Sequence, residues 1–135
     1  MILLVDSIEM LKLYIKSIHP RVESLMSYHT RPLTVIYPES KNMDLSIPAE
    51  DGSIAIRVCE DAFCKLLING TQIPLVSSSA NLADQPPPST FGEISSEILS
   101  SVDYVVRYRQ TDSTPREPSV IVRYEPDGEL VFIRS

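Results

Sequence analysis

The chain has 135 residues, 43% of them hydrophobic, and a formal net charge of −6 at pH 7. This length and apolar content predict one globular domain with its own core. The negative charge disfavours an extensive nucleic-acid surface, which needs clustered Lys and Arg. No apolar run approaches the roughly 20 residues of a membrane helix and no basic segment opens the chain, so we expect a cytoplasmic protein that does not bind membranes.

The chain opens with a predicted strand and two predicted helices. Ile2 to Val5 is a short apolar run, typical of a strand covered on both faces. Asp6 and Glu9 resemble a capping box at the start of a helix. Four apolar residues of that helix recur at helical spacing and are expected to face the core: Ile8, Leu11, Ile15 and Ile18. Pro20 suits the first turn of a second helix.

Two histidines, His19 and His29, lie near the ends of the second helix. No Cys, His or carboxylate accompanies them at metal-ligand spacing, so we expect them to cap the helix or lie on its surface. Pro32 to Tyr37 and Ser53 to Val58 have the composition of strands, and Glu39 to Asp51 is a polar connection between them.

A third helix is predicted after Glu60 and Asp61, whose negative charges suit a helix N-terminus, and Gly70 can end it. Its expected buried side is formed by Phe63, Leu66 and Leu67. The only cysteines, Cys59 and Cys64, have neither redox nor zinc spacing, and we expect free thiols. Ile73 to Val76 then indicates a buried strand that leads into the polar residues 77 to 81.

The last part of the chain predicts a helix and three strands. Gln85 to Pro88 is a stiff loop, and Thr90 with Glu93 forms a capping box before a helix that carries Ile94, Ile98 and Leu99. Val102 to Tyr108 is expected to be a strand. The final two runs are expected to pair as an antiparallel hairpin across Glu125 to Gly128: Ser119 to Tyr124 and Glu129 to Arg134. Together these elements predict an α/β fold with a twisted mixed sheet and flanking helices.

Polar residues at strand ends are the candidates for ligand binding. In open α/β sheets, ligands bind beyond the carboxyl ends of strands, and Ser or Asn side chains hydrogen-bond phosphate, carboxylate or ribose there. The same residue types also form ordinary turns, so the pattern of residues 77 to 81 leaves both interpretations open. Arg57 near a strand end can bind a carboxylate through two hydrogen bonds, or form a surface salt bridge.

Residues 73 to 88, IPLVSSSANLADQPPP, resemble the signature loop of the YrdC-like family, the threonylcarbamoyl-AMP synthases, through Ser79-Ala80-Asn81. Three further segments match in the family's order. Arg31 to Thr34 resembles a Gly-Pro-Leu-Thr strand start, Ile54 to Val58 a strand ending in Arg-Val, and Pro118 to Val120 a Pro-Ser-Thr. The family's first strand, its Pro-Thr-Glu-Thr-like loop and its Lys-x-Arg segment have no counterpart. The resemblance implies a YrdC-like domain over residues 1–135 that is truncated at its N-terminus.

The resemblance implies a reaction of L-threonine, bicarbonate and ATP that gives threonylcarbamoyl-AMP and pyrophosphate, for the modification of adenosine-37 in tRNA. ATP is expected as a substrate with Mg²⁺, no cofactor is expected to be tightly bound, and other tRNA threonylcarbamoylation proteins are expected partners. By matched position, the threonine contacts are Arg57, Ser79 and Ser119. The implied nucleotide contacts are Ser53, Asn81, Ser89 and Arg134. No catalytic side chain and no metal ligand is expected.

The missing Lys-x-Arg segment leaves two interpretations. The chain is either a piece of a longer enzyme or a short relative that binds ligand without turnover. The alternative function is accordingly a non-catalytic YrdC-like module that binds a nucleotide or double-stranded RNA, with RNA binding expected to be weak. Either way, we expect five of the matched residues to meet in one concavity: Arg57, Ser79, Asn81, Ser119 and Arg134.

Overall fold

A computed structural model describes residues 1–44 and 46–135. These residues form two compact units, which we call the sheet unit (Met1–Ser77 and Ser119–Ser135) and the loop unit (Ser78–Pro118). The expectation of a single domain over residues 1–135 stays a prediction. Residue 45, inside the predicted polar connection, lies outside the described residues.

The sheet unit contains a mixed six-stranded sheet. Its strands are β1 (Ile2–Val5), β2 (Leu33–Tyr37), β3 (Ile54–Val58), β4 (Leu75–Ser77), β5 (Val120–Tyr124) and β6 (Leu130–Arg134). They lie in the order β4-β1-β3-β2-β5-β6. The pairs β1–β3 and β2–β5 are parallel and the other three are antiparallel. With its flanking helices, this sheet confirms the predicted α/β class.

One face of the sheet, here the apolar face, carries the core. Pairing aligns Leu3, Ile56, Val35 and Val122 across four strands, and each of these residues is at most 4% exposed. The helices α1 (Ile8–Leu11) and α2 (Pro20–Tyr28) add buried side chains to the same cluster. Burial of such aliphatic side chains is the main favourable term in folding.

The opposite face, here the arginine face, carries the alternate residues of the same strands. One row across the sheet aligns Arg57, Thr34, Ile121 and Arg134. The next row aligns Ala55, Ile36 and Arg123. Successive side chains of a strand point to opposite faces, so three arginines share the face opposite the main core cluster, together with the buried Leu4.

The first two helices agree in part with the predicted pattern. Helix α1 is only four residues long and is capped by Ser7, not Asp6, because the Ser7 side chain accepts the Met10 N–H at 3.1 Å. Leu11 and Ile15 are buried as predicted, although Ile15 lies beyond the helix in a bridge to Ser40.

Helix α2 begins at Pro20, and the predicted capping role of the histidines is confirmed. His19 Nδ1 accepts the Arg21 N–H at 3.1 Å, and His29 is the C-cap.

The third helix, α3 (Ala62–Thr71), corrects two expectations. Gly70 lies inside the helix, and Gln72 takes the left-handed conformation that ends it, with φ 59°. Leu66 and Leu67 are 71% and 40% exposed, whereas Ile68 is buried. The run of neighbouring apolar residues allows more than one side of the helix to be buried. The prediction from residue spacing alone therefore named the wrong side.

The prediction that the strand before the polar loop is buried was also wrong. Ile73 precedes β4 and is 58% exposed, and Val76 within β4 is 51% exposed. β4 is an outer strand that pairs only with β1, so one of its edges and much of its surface lack a neighbouring strand.

The loop unit corrects two more predictions. Thr90 makes no side-chain cap, residues Phe91–Glu93 form a single 3-10 turn, and helix α4 (Ser96–Ser101) is capped by Ser95 instead. Residues 102 to 108 form no strand in the described chain. Their alternation of apolar and polar residues is typical of a strand, but alternation does not supply a pairing partner.

The predicted C-terminal hairpin is confirmed. β5 and β6 pair antiparallel across the turn at Gly128, whose φ is 87°. A Cβ at this position would lie 2.9 Å from His19 Nε2, so both backbone conformation and space require glycine. Cys59 and Cys64 are free thiols as predicted. None of the helices in the described part of the chain has the length and apolar character needed to cross a bilayer.

Candidate functional site

Arg57 is the side chain of the sheet unit best suited to hold an anion. It is the second-last residue of β3 and lies directly opposite Thr34 on β2. Its side chain is half-buried and makes no hydrogen bond or ion pair with residues 1–44 and 46–135. A guanidinium is always charged and offers two parallel donors to a carboxylate or phosphate, so Arg57 can bind a ligand without breaking an internal contact.

A hydrogen-bonded group next to Arg57 joins two of the predicted site residues. The hydroxyls of Thr34 and Ser119 are 2.8 Å apart, and the two residues are 0% and 3% exposed. Arg134 donates from Nε to the Ser119 carbonyl at 2.8 Å and from Nη2 to the Ser119 hydroxyl at 3.2 Å. Because every bond constrains its partners, the Ser119 hydroxyl and the Arg134 guanidinium are held in fixed positions.

The row across the arginine face therefore brings three predicted residues together. Arg57 and Arg134 belong to it with Thr34 and Ile121 between them, and Ser119 lies beside Thr34, while Leu4 continues the row beyond Arg57. The row thus carries one arginine on each side of a buried pair of hydroxyls.

A cavity of about 400 Å³ opens at the sheet edge where β3 ends. Arg57 lines it together with Val58, Cys59 and the C-terminal end of α2. This volume lies within the range of small-molecule sites, roughly 300–1,000 Å³. The charged residues that line it are Arg31, Arg57, Glu60 and Asp61.

The Cys64 thiol, in the first turn of α3, is a poor nucleophile. Burial raises the pKa of the Cys64 thiol to about 12, and Asp61 and Cys59 add to the shift. Since the thiolate is the reactive form, Cys64 stays protonated and inert near neutral pH.

Ser53 lies at the other end of β3 from Arg57. Its N–H donates to Asp51 Oδ1 at 2.9 Å, and its carbonyl accepts the Ala49 N–H at 2.8 Å. At about 3.3 Å per residue, four residues of strand separate Ser53 from Arg57 by about 13 Å. The structure therefore does not bring Ser53 into the row of Arg57.

The other predicted residues belong to the loop unit. Asn81 Nδ2 donates to the carbonyls of Leu82 at 2.9 Å and Gln85 at 2.8 Å, which fixes the turn that follows. Asn81 Oδ1 is buried and has no hydrogen-bond partner in the described chain, which is unusual for a buried acceptor. Ser79 is exposed, and the Ser89 N–H donates to Glu93 Oε2 at 2.6 Å. The predicted convergence of these residues with Arg57, Ser119 and Arg134 stays a prediction.

Two residues of the arginine face were missed in the sequence. Thr34 was noted only as part of a matched segment, and Arg123 was not considered. The signal was present in both cases, because Ser119, Ile121 and Arg123 alternate along β5 and Thr34 follows the same period on β2. What the sequence lacked was the register that places β5 beside β2.

Comparison with known families settles the relationship of the chain. The family model Sua5_yciO_yrdC, described as telomere recombination, matches residues 1–135. This chain belongs to the Sua5/YciO/YrdC family. The predicted YrdC-like membership is thus confirmed.

Relatives of this Sua5/YciO/YrdC chain include bacterial proteins named threonylcarbamoyl-AMP synthase. The chain is 33% identical to that of Vibrio campbellii over 110 residues, which cover 79% of this chain and 60% of the relative. It is 31% identical to that of Klebsiella pneumoniae over 123 residues, which cover 87% of this chain and 65% of the relative. The chain spans only about half to two thirds of the length of the curated relatives that it matches.

Two solved structures share the fold. A double-alanine variant of P. abyssi Sua5 matches with a TM-score of 0.81 at 20% identity, covering 98% of this chain and 40% of that one. Full-length HypF, in a phosphate- and nucleotide-bound form, matches with a TM-score of 0.69 at 20% identity, covering 98% of this chain and 20% of that one. At this identity the matches establish the fold alone.

Proposed function

We propose that this chain takes part in a threonylcarbamoyl-AMP synthase reaction, which joins L-threonine, bicarbonate and ATP and releases pyrophosphate. The observation that supports the proposal is the row of Arg57, Thr34, Ile121 and Arg134, with the Ser119 hydroxyl bonded to both Thr34 and Arg134. The names of the Vibrio and Klebsiella relatives support the reaction type. The proposal places the chain in the modification of adenosine-37 in tRNA, in the cytoplasm, with other proteins of that process as partners.

The proposed chemistry needs no protein nucleophile. An oxygen of the threonine carbamate attacks the α-phosphate of ATP, the new P–O bond forms, and pyrophosphate leaves with the electrons of the broken P–O bond. The task of the protein is to align the reactants and to stabilise negative charge on the phosphate oxygens.

The roles proposed for individual residues are those that the family resemblance implies. Arg57 binds the carboxylate of threonine, with Ser119 beside it and Ser79 as a further contact from the loop unit. Arg134 binds the nucleotide, and Asn81 and Ser89 contact it from the loop unit. Ser53 is the least supported nucleotide contact, because it precedes the strand β3, which Arg57 nearly ends.

ATP enters as its Mg²⁺ complex in this proposal. No group of three or more His, Cys, Asp or Glu that could hold a metal ion occurs within residues 1–44 and 46–135. Mg²⁺ keeps several water ligands and binds mainly through substrate phosphates, so the ion does not need a protein cage here.

A second candidate is the non-catalytic alternative stated above, a module that binds the nucleotide without turning it over. It applies to these 135 residues, which contain no Lys-x-Arg. One lost electrostatic contact commonly costs about 10²–10³ in rate, so the two candidates differ in whether pyrophosphate is released.

Pyrophosphate release from ATP tests the proposal. We expect purified chain to bind ATP and threonine in calorimetry, and to release pyrophosphate slowly and only when threonine and bicarbonate are both present. Addition of a family segment that contains Lys-x-Arg is expected to raise the rate. Binding without any threonine-dependent release, even with that segment, would favour the binding module. Absence of both ATP and threonine binding would contradict both candidates.

A further inference from the structure

A third arginine of the arginine face has no role in the site described so far. Arg123 is in register with Ile36 on β2, two residues along from the pair formed by Ile121 and Thr34. The Arg123 side chain is exposed and makes no hydrogen bond or close ion pair with the residues that the structure describes. It is therefore available to a ligand on the same face as Arg57 and Arg134.

Arg123 borders a second cavity of the sheet unit, of about 420 Å³. Ile36 and Ala55, its neighbours in the second row, line the same cavity, and so does Ser53. The cavity is thus lined both by Arg123 and by Ser53, a residue that the resemblance assigns to the nucleotide. The nearby carboxylate of Asp51 is hydrogen-bonded to Ser53, which lowers the pKa of Asp51, and the charge of Arg123 contributes to the same shift.

The position of Arg123 relative to Arg57 suits the leaving group of the proposed reaction. The two residues are two positions apart along the strands and two strands apart across the sheet, which separates their Cα atoms by about 12 Å. In an in-line displacement, pyrophosphate departs on the side of the α-phosphate opposite to the attacking oxygen. With threonine at Arg57, the departing phosphates lie away from Arg57.

We propose that Arg123 binds the β- and γ-phosphates of ATP from the second row of the arginine face. This inference rests on the proposed function and adds a phosphate-binding residue that the family resemblance does not assign. A guanidinium can grip phosphate oxygens through two parallel hydrogen bonds, and its charge does not titrate near neutral pH. Arg123 would then supply part of the positive charge that a Lys-x-Arg segment brings.

Three ligands distinguish the phosphate that Arg123 contacts. We would measure binding of ATP, AMP and pyrophosphate by calorimetry, with Mg²⁺ present, for the 135-residue chain and for Arg123→Gln. Arg21→Gln is the matched control, because it removes the same charge from α2, which packs on the apolar face. There the Arg21 side chain donates to the Gly128 carbonyl at 3.3 Å. Arg123→Gln is expected to weaken the binding of ATP and pyrophosphate at least tenfold and the binding of AMP less than twofold. Arg21→Gln is expected to bind all three ligands as tightly as the parent.

Each other outcome has a definite meaning. Equal weakening of ATP and AMP by Arg123→Gln would overturn the assignment to the terminal phosphates, and unchanged ATP affinity would remove Arg123 from the site. A loss confined to binding of an RNA oligonucleotide would overturn the inference in favour of nucleic acid. Failure of the parent to bind any of the three small ligands would instead contradict the proposed function itself, and the inference with it.

Discussion

The two faces of one sheet have different tasks in this molecule. The apolar face aligns Leu3, Ile56, Val35 and Val122 and is almost fully buried, whereas the arginine face places charged and hydroxyl groups on the alternate residues of the same strands. Side chains of the two sets alternate along each strand. Arg57 can therefore be changed with little effect on stability, whereas a change at Ser119 affects a buried hydrogen-bonded pair as well as the proposed site.

The largest effect is expected from a cavity on the apolar face. Ile56→Ala should lower the free energy of unfolding by about 2–5 kcal/mol, because it removes three methyl or methylene groups from a residue that is 2% exposed. Ile121→Ala on the arginine face is the matched variant and should cost about 1 kcal/mol, since Ile121 is only half-buried. Urea denaturation of both variants checks the difference. Equal losses would show that the arginine face also contributes a packed core.

The next effect concerns the buried hydroxyl pair. Ser119→Ala should lower the free energy of unfolding by about 1–3 kcal/mol, because it leaves the fully buried Thr34 hydroxyl without its partner. Thr34→Val removes the other hydroxyl at nearly constant shape, and the double variant should cost less than the sum of the two single variants. Strict additivity in this double-mutant cycle would argue against the hydrogen bond.

A smaller effect, on binding alone, is expected at Arg57. Arg57→Gln should weaken threonine binding about tenfold or more, because a charge-assisted contact to the carboxylate is lost. Its thermal unfolding should stay close to that of the parent, since the side chain has no partner in the described part of the chain. Titration calorimetry and a melting curve of the same sample check both. A large drop in melting temperature with unchanged threonine affinity would reverse the assignment.

The smallest effect should arise outside both faces. Ala80 in the loop unit has φ 56°, a left-handed conformation that strains a residue with a Cβ. Ala80→Gly relieves this strain but adds freedom to the unfolded chain, so a net stabilisation of about 0.5 kcal/mol is expected. Chemical denaturation measures it. A clear destabilisation would mean that contacts of the Ala80 methyl group stabilise the fold by more than the backbone strain destabilises it.

The sequence predicted the strands that alternate cleanly and the turns that need special residues. β2, β3 and the hairpin around Gly128 were found because β-branched runs and a Pro-Asp-Gly turn are local signals. The structure places Arg57 and Arg134 on one row and bonds Arg134 to Ser119, while their role in a ligand site stays a prediction.

Other features depend on contacts that no local pattern contains. Residues 102 to 108 alternate like a strand but have no partner strand, and α3 buries Ile68 and not Leu66 because its neighbours select one side of it. Arg123 was overlooked because its value depends on a parallel register with β2, formed across more than eighty residues of sequence.

That same pairing has a consequence for how the chain folds. β2 acquires its neighbour β5 only when the segment beyond Ser119 is available, because Leu33 pairs with Val120. Closing so long a loop costs chain entropy before the pairing contributes any stabilisation, and such non-local parallel contacts form slowly. During synthesis on the ribosome, one edge of β2 stays unpaired until the hairpin emerges, which makes this edge the point where a partly made chain is most exposed to aggregation and to chaperones.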